Sequence, residues 1–101
     1  MISHNLSIPL NEIRAFCERY PIHKLSLFGS ILRDDFTPDS DVDVLVEFEP
    51  EARVTYLDLV TMRDELADLL GRQVDLLTPG ALSKYFRQEV LDTAETIYER
   101  I

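Results

Sequence analysis

Two aspartates, Asp41 and Asp43, stand two residues apart in and beside the apolar run Val42–Phe48 (VDVLVEF). Side chains on a strand alternate between its faces, so Val42, Val44, Val46 and Phe48 share one face and Asp41, Asp43, Leu45 and Glu47 share the other. At about 3.3 Å per residue, the two acidic Cα atoms lie roughly 6.6 Å apart and their carboxylates can converge. Like charges on one face need water or a cation. Hard oxygen donors in this number suit Mg2+, which takes one or two carboxylates and completes its shell with substrate phosphates and water. An exposed edge strand with an acidic outer face would give the same residues.

A second feature lies upstream. Gly29-Ser30 closes the apolar run 25–28 (LSLF), and ten residues separate Ser30 from Asp41. Glycine there permits close backbone approach. The backbone N–H groups and the Ser30 hydroxyl can hold a phosphate where a helical turn begins; a strand-to-turn junction with a serine cap needs no ligand and looks the same. Phosphate cradle and metal carboxylates on adjacent elements together describe a site for a nucleoside triphosphate and its metal. Asp75, in the run 73–77 (QVDLL), is a third acid. Its neighbours Val74 and Leu76 point to the opposite face. Should its strand lie beside the first acidic one, three carboxylates cluster. Two-metal sites hold ions roughly 3.5–4 Å apart, and one acid can act as general base. Otherwise Asp75 is a polar residue at a strand edge.

The elements that must position these groups follow from periodicity. Residues 9–20 read as a helix with Ile13, Phe16, Cys17 and Tyr20 on one face, Ser7 as cap and Pro21 as stop. Residues 25–28 form a strand, 30–35 a helical turn, 37–40 (TPDS) a loop and 42–48 a strand. After an acidic loop at 49–54, a long helix spans 55–70, with Gly71 at its C′ position. A strand at 73–77, a Pro79-Gly80 turn and a mostly helical segment 82–101 complete the chain. Phe86, Val90, Ala94, Ile97 and Ile101 form the stripe of that last segment. The order α-β-α-β-α-β-α predicts an α/β (α+β) domain, one small mixed sheet flanked by helices, over residues 1–101.

Composition narrows the class. With 101 residues and 46% hydrophobic content, one core is expected. No apolar run reaches the roughly 20 residues of a membrane helix, and the N-terminus lacks the basic-then-apolar pattern of a signal peptide. The single cysteine, Cys17, falls on an apolar helix face and reads as a buried thiol in a reducing cytoplasm. A net charge of −9 argues against direct nucleic-acid binding. It suits solubility, a basic protein partner or divalent cations equally. His4 lies near the chain end, and His23 is placed in the turn before the first strand.

Leu27-Phe-Gly-Ser30, Arg33 and Ser40-Asp-Val-Asp-Val-Leu-Val46 resemble the signature of the DNA polymerase beta-like nucleotidyltransferases, in particular the minimal nucleotidyltransferase branch. Asp75 matches that family's third acid, and the segment from Leu82 to Arg100 is similar to the branch's closing helix. The resemblance implies the polymerase beta-like fold and transfer of a nucleoside monophosphate from an NTP to an acceptor hydroxyl, with release of pyrophosphate. It implies that Gly29 and Ser30 grip the triphosphate, with Ser40 beside them. Asp41 and Asp43 would hold two Mg2+ ions, and Asp75 would complete one metal site and help deprotonate the acceptor. Arg33 would reach phosphate or brace the acidic loop, or else pair with Asp34 or Asp35. Many relatives carry glycine where this chain has Asp34, which bears on the shape of the loop. Members of the branch are similar to antitoxins whose partner is a HEPN-type RNase toxin, neutralised by binding or by AMP added to a tyrosine. The implied partners are ATP and such a toxin in a hetero-oligomer, in the cytoplasm. A binding-only antitoxin and a small-molecule nucleotidyltransferase are the alternatives.

Overall fold

The computed structural model describes residues 6–100. Helix α1 (Leu10–Glu18) leads into strand β1 (Ile22–Phe28), and a 3-10 turn (Gly29–Leu32) and a loop lead to β2 (Val42–Phe48). Helix α2 (Tyr56–Leu70) connects β2 to β3 (Val74–Leu77), and a short α3 (Arg87–Thr93) precedes β4 (Glu95–Glu99). The strands form one mixed sheet in the order β3-β2-β1-β4. β1 is antiparallel to both of its neighbours, whereas β2 and β3 run parallel across the α2 crossover.

One sheet face carries the main core. Leu25, Leu27, Val42, Val44, Val46 and Val74 pack there against Ile13, Phe16 and Cys17 of α1 and Met62, Leu66 and Leu70 of α2. α1 turns its apolar spacing towards this face, as the sequence pattern predicts, and α2 turns Leu66 and Leu70 there together with Met62, while Tyr56 at its start stays exposed. α2 begins with a reciprocal cap. Asp58 N–H donates to Thr55 Oγ1 at 3.2 Å, and Thr55 N–H donates to the Asp58 carboxylate at 2.9 Å. It ends at Gly71, whose φ of 66° lies in the left-handed region that glycine adopts without strain. The opposite face holds a smaller cluster of Phe28, Leu45 and Leu82, against which Leu77, Val90 and Ala94 pack.

The structure corrects three expectations. The segment 82–101 is not mostly helical: its helix stops at Thr93, and Glu95–Glu99 is a strand. β4 covers the edge of β1 and takes its backbone hydrogen bonds, with Tyr98 opposite Leu25 and Glu99 opposite Lys24. Thr96, Ile97 and Tyr98 are residue types that fit a pleated surface, and an opposite-charge pair across the ladder favours the same register. Val90 and Ala94 still bury their part of the stripe, but Phe86 is 61% exposed and Ile101 lies outside the described residues, as does His4. β1 begins at Ile22 rather than Leu25, so His23 belongs to the strand and not to a preceding turn. Ser7 does not cap α1; Pro9 occupies the N-cap position without a side-chain bond. Leu45 shares the Asp43 face of β2, as alternation predicts, and is buried there with Leu82 and Phe28. Cys17 is buried as expected, and burial pushes its thiol pKa up to about 12, which makes it inert.

Candidate active site

The parallel register of β2 and β3 sets Asp43 directly beside Asp75, one strand spacing apart. On the other side of β2, Asp43 pairs with Phe28, the last residue of β1. The chain therefore reaches Gly29 immediately next to the Asp43 carboxylate. Gly29 has φ +76°, and a Cβ there would collide with Asp43 Oδ2. Only a residue without a side chain lets the turn cross so close to the acid. The turn then offers the Ser30 backbone N–H to the Asp43 carboxylate as a hydrogen bond.

Asp43 is half-buried, and its pKa is raised above the usual carboxylate value. Desolvation is the main cause, followed by the negative charges of Asp75 and Asp41. The Ser30 N–H and the Arg33 charge act in the opposite direction. Asp41 precedes β2 and is exposed, as is Asp75. The three acids therefore meet at one end of the sheet, around a central carboxylate crowded by like charge. A cation would relieve that crowding. Among the described residues, no three His, Cys, Asp or Glu side chains enclose a metal ion by themselves.

The remaining predicted residues fall around this cluster. Ser30 lies in the 3-10 turn beside Asp43. Arg33 is exposed and donates from Nε to Asp35 at 3.1 Å, an ion pair of the kind worth little in solvent. Ser40 is half-buried in the loop before Asp41. Its Oγ accepts the Thr37 N–H at 2.9 Å and lies 3.1 Å from Thr37 Oγ1, closing the turn that delivers Asp41. A cleft of about 330 Å3 borders Ser40 and Asp41 and continues to Arg72 and Gln73. A second groove, about 190 Å3, runs from Asp75 to Tyr56, Leu59 and Val60 on α2.

Sequence reading missed Arg72. Its Nη2 donates to the carbonyls of Thr37 and Ser40 at 2.6 and 2.8 Å. Its guanidinium lies over the Phe36 ring, 4.6 Å from the centroid. A single arginine after a helix-ending glycine carries no spacing signal; Thr37 and Arg72, 35 positions apart, are brought together only once β2 and β3 are paired.

A mixed sheet with a glycine-cradled acid at the end of one strand and a second acid beside it on the next is the arrangement of a nucleotide-transferring domain. The nucleotidyltransferase domain family matches residues 11–97, and the chain belongs to that family. It is 35% identical over 81 residues to the protein adenylyltransferase MntA of Thermococcus cleftensis, covering 80% of this chain and 78% of that protein. A candidate protein adenylyltransferase of Methanocaldococcus jannaschii is 38% identical over 74 residues, covering 72% and 74% of the two chains. Among solved structures, one described as a candidate minimal nucleotidyltransferase is 32% identical with a TM-score of 0.69, covering 88% of this chain and 87% of that one. The crystal structure of a toxin–antitoxin complex with AMP-PNP shares the fold, with a TM-score of 0.73 at 20% identity over 92% of this chain and 75% of that one. The chain is thus a nucleotidyltransferase of the minimal branch, and the sheet and flanking helices expected from its sequence are those of the branch.

Proposed function

We propose that this protein transfers AMP from Mg2+-bound ATP to a tyrosine hydroxyl of a HEPN-type RNase toxin and so acts as its antitoxin. The observation that carries the reading is the register of the site: Asp43 lies between Gly29-Ser30 on one side and Asp75 on the other. The relatives named protein adenylyltransferases support a protein acceptor. A solved complex of a tri-AMPylated HEPN toxin with its antitoxin, from Shewanella oneidensis, has a TM-score of 0.64 to this chain.

In this reading Gly29 and Ser30 hold the triphosphate through backbone N–H groups, and Arg33 adds positive charge at the mouth. Asp41 and Asp43 are the metal ligands, with Asp75 completing one of the two sites. Two carboxylates with phosphate oxygens and water make a normal Mg2+ shell, so the site needs no all-protein cage. When bound, Mg2+ neutralises charge on the phosphates. Asp75 accepts the acceptor's proton. The hydroxyl oxygen then attacks the α-phosphorus, its bond to the bridging oxygen of the β-phosphate breaks, and pyrophosphate leaves. The complex is a hetero-oligomer in the cytoplasm, where a buried Cys17 thiol stays reduced. The chain's −9 charge suits a basic toxin surface, which electrostatic complementarity would steer onto it.

The test incubates the protein with the toxin, ATP and Mg2+ and maps the toxin's peptides by mass spectrometry. One or more AMP groups on tyrosine are expected, and none with the Asp41→Asn, Asp43→Asn double variant. Full neutralisation of the toxin by that variant would instead make binding the function and catalysis dispensable.

A further inference from the structure

We propose that Arg72 is a positioning residue for the catalytic acids, fixing Asp41 relative to Asp75; the proposal rests on the metal–nucleotide site described above. Asp41 stands on a loop, not within a strand, so the sheet ladder alone does not fix it. Its two flanking peptides are held from one place. On the near side, the Ser40 carbonyl accepts a hydrogen bond from Arg72 Nη2 at 2.8 Å. On the far side, the Val42 N–H donates to the Gln73 carbonyl at 2.9 Å. Residues 72 and 73 are consecutive, and Asp75 follows two positions later on the same segment. The loop carrying the first acid is thus lashed to the strand carrying the third.

The anchor is itself well fixed. Arg72 follows the left-handed Gly71, and its backbone N–H donates to the Ala67 carbonyl of α2 at 3.2 Å. The same guanidinium nitrogen holds the Thr37 carbonyl at 2.6 Å, and the planar group stacks on Phe36. Thr37 and Ser40 are also joined to each other, their Ser40 N–H to Thr37 carbonyl bond measuring 3.0 Å. Arg72 therefore grips a preformed turn. A planar donor that also stacks is what arginine supplies and lysine does not.

Two variants, Arg72→Ala and Arg72→Gln, test the assignment. Amide hydrogen exchange is read without metal or nucleotide. It should speed up at residues 40–42 while α1 and α2 stay protected. Mn2+ affinity, read by electron paramagnetic resonance with a non-hydrolysable ATP analogue, should fall about 10–100-fold, as when a supporting partner of a metal ligand is lost. The kcat should fall with a nearly constant nucleotide KM. If the alanine variant does not fold, the glutamine variant, which keeps an apolar stem and one donor group, decides. Unchanged exchange at 40–42 together with parental Mn2+ affinity in either folded variant would overturn the proposal. Should the parent bind no Mn2+–nucleotide at all, the nucleotidyltransferase site fails first, and the exchange result alone decides whether Arg72 holds the loop.

Discussion

The two faces of β2 are built to opposite rules from the same seven residues. On the helix-covered face, Val42, Val44 and Val46 are each at most 1% exposed and belong to the main apolar core. On the other face, Asp43 is half-buried beside Asp75 and Asp41, and its surroundings work against its own charge. The first face minimises free energy; the second holds a charge where burial and like neighbours disfavour it, a pattern common at functional sites. Alternation with a period of two lets one strand do both. The small cluster of Leu82 on Phe28 and Leu45 separates the two functions on the second face, closing the part of it that does no chemistry.

That contrast can be broken most sharply at Asp43. Asp43→Asn keeps size and hydrogen-bonding reach but removes the charge, so nucleotide transfer should fall by about 10³-fold, roughly 4 kcal/mol of transition-state stabilisation. Circular dichroism should remain that of the parent. A variant retaining more than a tenth of parental kcat would mean that the acid face is not the reaction centre.

The opposite outcome is expected at the helix-covered face. Leu66→Ala should lower unfolding free energy by about 2–5 kcal/mol in urea titration. Activity per folded molecule should hardly change. Gly29→Ala lies between the two, since it strains a left-handed backbone position at about 1–3 kcal/mol and pushes a methyl group into Asp43. Stability and transfer should both drop, with transfer falling further than the loss of folded protein explains; equal losses would reduce Gly29 to a turn residue.

The smallest effect concerns pH. Because the folded chain holds the Asp43 proton to higher pH than the unfolded chain does, this group's stabilising contribution is complete below the unfolded carboxylate value, about 3.9. It is lost as pH rises through the higher folded value. Without divalent metal, Asp43→Asn should therefore melt above the parent near neutral pH, and the gap should close as the pH falls towards the unfolded value. A gap independent of pH would show that the charge is not what the fold resists.

How much of this was legible in the sequence depended on the range of the contacts. The period-two pattern of β2, the helical spacing of α1 and α2 and the glycine ending α2 act within a few residues, and each predicts the element found. Gly29-Ser30 and Asp41-x-Asp43 were readable as a pair because one short loop joins them. The C-terminal strand was not, since Val90, Ala94 and Ile97 also fit a helical stripe; the open edge of β1 decides the matter, and that edge is defined only by the assembled sheet. Arg72 was invisible for the same reason. Its partners lie on a loop more than 30 residues upstream. Ser40 was legible only in part: the motif marked it as a nucleotide contact, and its hydroxyl bond to Thr37, which closes the turn before Asp41, carries no signal in the sequence.

The most direct measurement follows the phosphorus. The protein is mixed with a HEPN-type toxin, Mg2+ and ATP labelled at either the α- or the γ-phosphate. The acid face built from Asp41, Asp43 and Asp75 predicts label on the toxin from α-labelled ATP only, with none when both Asp41 and Asp43 are asparagine. Label transferred from the γ-position would make the protein a kinase and contradict the account.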